Sequence, residues 1–143
     1  MTSRNQTLMA SKNFTLDIVT PNRVVYSGEV QSFSAPGVEG GFQVLRSHAP
    51  LLAAIAVGRV KLTDGAGVES SYATSGGFVE VKDNKVILLA ETAERSDEID
   101  VKRAEEARQR ASERLRKMET VDEERARAAL IRAVNRLKIA GSR

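Results

Sequence analysis

A single histidine, His48, and no cysteine in 143 residues leave little on which metal or nucleophilic chemistry could be built. With one imidazole there is no HExxH site, no multi-histidine metal centre and no relay through a second histidine, and without thiols there is neither a zinc-thiolate site nor a disulfide frame. His48 sits between Ser47 and Ala49-Pro50, where it has no nucleophile to activate, and is expected to hydrogen-bond a loop. The glycines of residues 37–42, GVEGGF, lack the Gly-Lys-Ser/Thr of a P-loop and do not fit G-x-G-x-x-G, so they are expected to form a turn. No pair of carboxylates stands apart from the charged background. The chain is therefore expected not to be an enzyme by itself, and no metal or required cofactor is assigned.

The elements that must position everything else fall into two periods. From Asn13 to Thr92, β-branched and polar residues alternate, with Gly, Pro, Asn or Asp every 8–12 positions, the pattern of short strands in an antiparallel β-sandwich. Residues 14–20 and 29–35 read as strands that end at Pro21-Asn22 and Pro36-Gly37. Residues 59–63 and 68–74 flank Asp64-Gly65-Ala66-Gly67, and residues 77–82 and 85–90 flank Asp83-Asn84, which predicts two hairpins with positive φ in their turns. Val79 and Val81 share one face. Val86-Ile87-Leu88-Leu89 is continuously apolar, which predicts a central strand buried on both faces.

After Glu94 the composition turns to Ala, Glu and Arg, with no Gly or Pro until Gly141, and the apolar period becomes helical. Ser96 or Asp97 is expected to cap a first helix running to about Met118, with an inward stripe of Ala104, Ala107, Ala111, Leu115 and Met118. Thr120 with Glu123 forms a capping-box pattern for a second helix, whose stripe is Ala126, Ala129, Leu130, Ala133, Leu137 and Ala140 and which Gly141 ends. The expected organisation is a tail over residues 1–13, a β-sandwich over 14–95 and a two-helix antiparallel hairpin over 96–143. Small residues bury little area, so the hairpin is expected to close weakly and to be tipped by a ligand.

Charge is placed unevenly. Residues 1–96 are neutral, with nine basic and nine acidic groups, while residues 97–143 carry thirteen basic and ten acidic ones. After Glu124 no acid follows Arg125, Arg127, Arg132, Arg136, Lys138 and Arg143, so the last helix is basic and suits an acidic partner surface; alternatively its arginines form a solvated face of i,i+4 pairs. A nucleic-acid-binding or adaptor module is the competing functional reading. Against it, the sandwich is neutral and no aromatic residue is interleaved with the basic ones as a stacking platform. No apolar run approaches the roughly 20 residues that span a bilayer, and the N-terminal residues lack the apolar core of a secretory signal, so a cytoplasmic location is expected.

Two segments add a specific likeness. Residues 37–58, GVEGGFQVLRSHAPLLAAIAVG, resemble the G-x-x-G…H-A-P-L-L segment of the epsilon subunit family of bacterial F-type ATP synthases, and residues 75–81, SGGFVEV, resemble its S-G-G-[FIL]-x-E-V hallmark. Residues 15–26 are similar to its first hairpin, and the resemblance covers about residues 14–141. Arg46-Ser47 departs from the Pro-Gly that many members carry before the histidine, which leaves the local turn type open.

The resemblance implies a peripheral rotor subunit at the cytoplasmic face of the cell membrane, touching the membrane only through the complex. Its sandwich would clamp the gamma subunit and rest on the c-ring loops through Glu39, Gly40, Gly41 and Phe42, although Gly41 stands where some relatives carry an acid. Its hairpin would extend into the alpha/beta catalytic head and oppose hydrolysis, with Arg125, Arg127, Arg132 and Arg136 as candidate contacts. Ile99-Asp100-Val101-Lys102-Arg103-Ala104 is similar to the I-D-x-x-R-A motif with which some members bind regulatory ATP. The resemblance carries that site to Glu94, Ile99, Asp100, Arg103, Ala104 and Arg110, with Arg132 and Arg136 from the second helix. The bland alternative is a helix start in which Asp100 pairs with Arg103 and Ala104 packs in the seam.

Overall fold

A computed structural model describes residues 12–117 and 123–141. Nine strands come first: β1 (Phe14–Val19), β2 (Val24–Gly37), β3 (Gly40–Val44), β4 (Leu51–Ile55), β5 (Gly58–Asp64), β6 (Glu69–Thr74), β7 (Gly77–Lys82), β8 (Lys85–Ala90) and β9 (Ala93–Arg95). A 3₁₀ turn (Ser96–Glu98) leads into α1 (Val101–Arg116) and α2 (Glu123–Gly141). The expected sandwich followed by a helical hairpin is what the chain builds. Met118 and the Thr120 capping pattern lie outside the described residues, as do Arg143 and most of the N-terminal tail.

The 14-residue β2 joins the two layers. Its first half pairs with β1, and its second half with β3 and β5, while β8, β7 and β4 complete one layer and β6 and β9 the other. All pairings are antiparallel except β1 with β8. Alternation sends Leu16, Ile18, Phe33, Leu62, Val79 and Leu88 into one core in which each is at most 1% exposed. Both predicted hairpins form. The β7–β8 turn places Asp83 at φ 51° and Asn84 at φ 59°, while in the β5–β6 turn only Gly67 is left-handed and the Asp64 carboxylate accepts from the Ala66 and Val68 amides, each at 2.9 Å.

Two expectations are corrected. Val86–Leu89 is central, paired on both sides, yet buried on one face only: Val86 and Leu88 are inaccessible, while Leu89 is 55% exposed. Neither Ser96 nor Asp97 caps the first long helix. Arg95 holds the Asp97 carboxylate with two hydrogen bonds of 2.6 and 2.8 Å, so the chain makes a 3₁₀ turn there, and Asp100 takes over as N-cap by accepting the Arg103 amide at 3.0 Å.

The hairpin closes along small residues. Ala104 and Ala111 of α1 and Ala126, Ala133 and Ala140 of α2 are buried, and Leu115, Leu130 and Leu137 flank them half-buried. On α1, hydrogen bonds from Arg108 hold the Glu105 carboxyl below its ordinary value of 4.5. A depressed carboxylate stabilises the fold above its unfolded pKa, and that contribution is lost as pH falls through the depressed value.

Candidate functional site

Three surfaces carry the residues that could act, and the sheet register builds the first. On the outer side of β4, β7, β8, β1 and β2, Ala54, Phe78, Leu89, Val19 and Val24 stand opposite one another in a single row. Phe78 is 58% exposed, Leu89 55% and Val24 59%. Leu52, 73% exposed, lies diagonally beside Phe78 and directly opposite Glu80, with Ile87 beyond it. An apolar row crossing five strands, with no helix of the described residues over it, is the kind of surface that a partner covers. Sequence reasoning missed it, although the signal was present: when Val79 and Val81 face inward, Phe78 must face out, and adjacent Leu51 and Leu52 cannot share a face.

The second surface is the tip of the β2–β3 hairpin. Glu39, Gly40 and Gly41 are exposed there and Phe42 is half-buried, so the structure brings the four expected residues together at one end of the sandwich. A Cβ on Gly37 would lie 2.5 Å from the Gly40 carbonyl oxygen, which explains a glycine at that turn. An open cleft of about 390 Å³ runs from this tip along Val38, Phe42, Leu51, Leu52 and Ala54 toward the apolar row. At the neighbouring turn, the His48 amide donates to the Leu45 carbonyl oxygen at 3.2 Å, and its ring Nδ1 donates to the Ala49 carbonyl at 2.7 Å. Ser47 takes φ 64° at the third turn position, and its amide donates to Asn84 Oδ1 at 2.6 Å. Positive φ there is what a type II turn needs, so the turn that Pro-Gly favours is kept although serine occupies the glycine's place.

The third surface is the junction of hairpin and sandwich. Arg136 Nε donates to Glu94 Oε1 at 2.5 Å, both side chains about two-thirds or more buried. Asn135 Nδ2 donates to the Gly58 and Thr74 carbonyl oxygens at 3.0 and 3.5 Å. Ile139 and Ala140 pack with Ala73 and Ile99 in a small apolar cluster of their own. Ile139 was not in the sequence-derived stripe, because α2 buries two faces, one against α1 and one against the sandwich.

The residues of the expected nucleotide site are distributed as follows. Glu94 and Arg136 are joined; Ile99 is buried in the junction; Asp100 caps α1; Ala104 packs in the helical seam; Arg103 and Arg110 are exposed on α1. Arg132 and Arg136, with Ala73, Thr74, Ser75, Thr92 and Asn135, line a crevice too tight to admit a water molecule. Small-molecule sites usually enclose about 300–1,000 Å³, so a nucleotide would have to open this crevice and part Arg136 from Glu94. On the basic face Arg125 is exposed and Arg127 pairs with Glu123 at 2.9 Å across one helical turn. No cluster able to hold a metal ion occurs among the described residues.

Comparison with known proteins covers both halves of the chain. The family model for the β-sandwich domain of the ATP synthase delta/epsilon chain matches residues 13–96, and that for its long α-helix domain matches residues 97–141. The ATP synthase epsilon chain of Moorella thermoacetica is 50% identical over 135 residues, 94% of this chain and 99% of the relative. That of Desulforamulus reducens is 47% identical over 131 residues, 91% of this chain and 98% of the relative. The fold is shared with a chain of the Euglena gracilis mitochondrial ATP synthase, solved as an OSCP/F1/c-ring assembly: TM-score 0.79 at 20% identity, covering 92% of this chain and 82% of that one.

Proposed function

We propose, from the premise that this chain belongs to the ATP synthase delta/epsilon chain family, that it is a non-catalytic central-stalk subunit with a helical brake. In this reading it turns with the rotor at the cytoplasmic face of the membrane and helps couple ion flow through the c-ring to ATP synthesis. The apolar row from Ala54 to Val24 meets the gamma subunit, and the β2–β3 tip with Glu39, Gly40, Gly41 and Phe42 meets the c-ring loops. No helix among the described residues is long and apolar enough to cross a membrane, so contact with the bilayer would run through the complex.

The observation that carries the brake is the thinness of the junction. Among the described residues the hairpin meets the sandwich chiefly through the C-terminal half of α2, by contacts that include an ion pair, a side-chain amide and a four-residue apolar cluster. Burial of that size stabilises docking by a few kcal/mol at most before ordering costs, so a ligand or a competing surface of similar strength can shift it. Released, the hairpin offers Arg125, Arg127, Arg132 and Arg136 to acidic groups of the alpha/beta head. Regulatory ATP would favour the docked form by gathering Arg132 and Arg136 on its phosphates, with Glu94, Ile99, Asp100, Arg103, Ala104 and Arg110 around it. The Ser75 hydroxyl, which accepts from Thr92 at 2.7 Å and lies beside the two arginines, supports that reading.

Steady-state hydrolysis by a catalytic head stripped of its own epsilon chain tests this. The whole chain is expected to slow hydrolysis several-fold at low ATP, whereas residues 1–96, which hold the main core, bind without slowing it. Millimolar ATP should relieve the wild-type chain and fail to relieve Arg132→Ala. Equal inhibition by the whole chain and by residues 1–96 would remove the brake from the hairpin.

A further inference from the structure

The ion pair between Glu94 and Arg136 is the conspicuous contact of the docked hairpin, but it does not fix where α2 lies. A guanidinium on a long stem can follow a carboxylate over several ångströms. Asn135 has no such freedom: its short side chain reaches from the helix to the end of the β5–β6 ladder. Gly58 and Thr74 form the last rung of that ladder. The two amide hydrogens of Asn135 therefore serve two backbone acceptors that belong to different strands and are locked to each other by the sheet.

The rung is itself held in place. Thr74 is a buried polar residue, 2% exposed, and its hydroxyl donates to the same Gly58 oxygen at 3.4 Å. A Cβ on Gly58 would come within 2.8 Å of Pro36 Cγ, so the strand end is pressed against β2 and cannot turn its carbonyl elsewhere cheaply. Asparagine is also a poor choice for a helix interior on propensity alone, since alanine or leucine would serve α2 better. Its donors, not its helix-forming tendency, suit it to this position.

We propose that Asn135 is the positioning residue of the docked hairpin, a neutral two-carbonyl lock that sets the register of α2 on the sandwich independently of salt. The ion pair adds attraction, which salt screens, while the amide contact selects one pose. Glutamine would overshoot by a methylene, aspartate has no hydrogen to donate, and leucine leaves both carbonyls facing an apolar group. The lock concerns the docked pose of the chain alone; it deepens the brake reading by supplying the catch, but stands or falls separately from any effect on hydrolysis.

Hydrogen exchange on the intact chain without nucleotide, at low and high salt, is the test, with the β1 and β8 core amides as internal reference for a folded sandwich. Asn135→Ala is expected to speed exchange in the C-terminal half of α2 relative to wild type by roughly ten-fold, the loss of two ordinary hydrogen bonds, by the same factor at both salts. The effect would appear although alanine is the better helix former. Asn135→Asp should loosen the hairpin further, because a carboxylate would face two carbonyls. Glu94→Gln should speed exchange at low salt and lose its effect at high salt. Unchanged protection in Asn135→Ala or Asn135→Asp, or an Asn135→Ala effect that vanishes with salt, would overturn the lock.

Discussion

Replacing both Leu52 and Phe78 by lysine is expected to weaken binding of the chain to its gamma partner by about a thousand-fold while leaving the fold intact. Central apolar residues of an interface contribute upwards of about 2 kcal/mol each when lost, and about 1.4 kcal/mol is a factor of ten, so two such losses reach that range. An ammonium buried against an apolar partner costs more than a truncation. The sandwich itself gives up little, since Leu52 is 73% and Phe78 58% exposed. Glu80, directly across from position 52, can pair with the new lysine there. Titration of each variant against purified gamma subunit or an epsilon-free complex reads the affinity. Val68→Asp, exposed in the other layer, should bind as wild type. A loss smaller than about ten-fold in the double variant would move the interface off this face.

The second large effect is internal. Gly77→Ala is expected to cost about 3 kcal/mol or more and to lower the thermal midpoint by roughly 10 °C. A Cβ there would lie 2.0 Å from the Leu89 carbonyl oxygen and 2.9 Å from Ala90 Cα, all backbone, and Gly77 has φ 150°. Because β7 and β8 meet at the rung Gly77–Ala90, relief requires the strands to separate. Gly40→Ala is the informative contrast. Its φ of 133° is also unfavourable for alanine, but a Cβ would meet nothing within 4 Å, so it should cost only the backbone strain of about 1–3 kcal/mol. Calorimetric unfolding of the two variants that ranked Gly40→Ala as the worse would contradict this account of the Ser75-Gly76-Gly77 segment.

Local chemistry made much of the fold legible. Asp83-Asn84 tolerates two positive φ angles, and the residues around it alternate, so that hairpin could be read directly. Where side chains choose between partners, sequence was a poorer guide. Asp97 looked like a helix cap, but Arg95 two residues earlier claims its carboxylate, and the choice passes to Asp100. Continuous apolarity at Val86–Leu89 resembled burial on both faces because the exposed positions of this strand, Leu89 above all, are as apolar as the buried ones. Ile139 and Asn135 were invisible for a related reason: the face of α2 that meets the sandwich is short and half polar, and helical spacing alone cannot distinguish it from solvent-facing positions. The residues of the proposed nucleotide site were nameable only by resemblance. In the docked form Ile99, Asp100 and Ala104 each have a packing or capping task that accounts for their type.

The most direct test of the rotor assignment uses the absence of cysteine from the chain. Ala66→Cys, at the exposed β5–β6 turn, gives a single attachment point on the layer away from the apolar row. With the catalytic head fixed to a surface and a probe on that cysteine, the account predicts that the probe revolves when ATP is supplied and stops when it is withdrawn. A probe that is retained on the complex but stays still during ATP turnover would show that the chain is not part of the rotor.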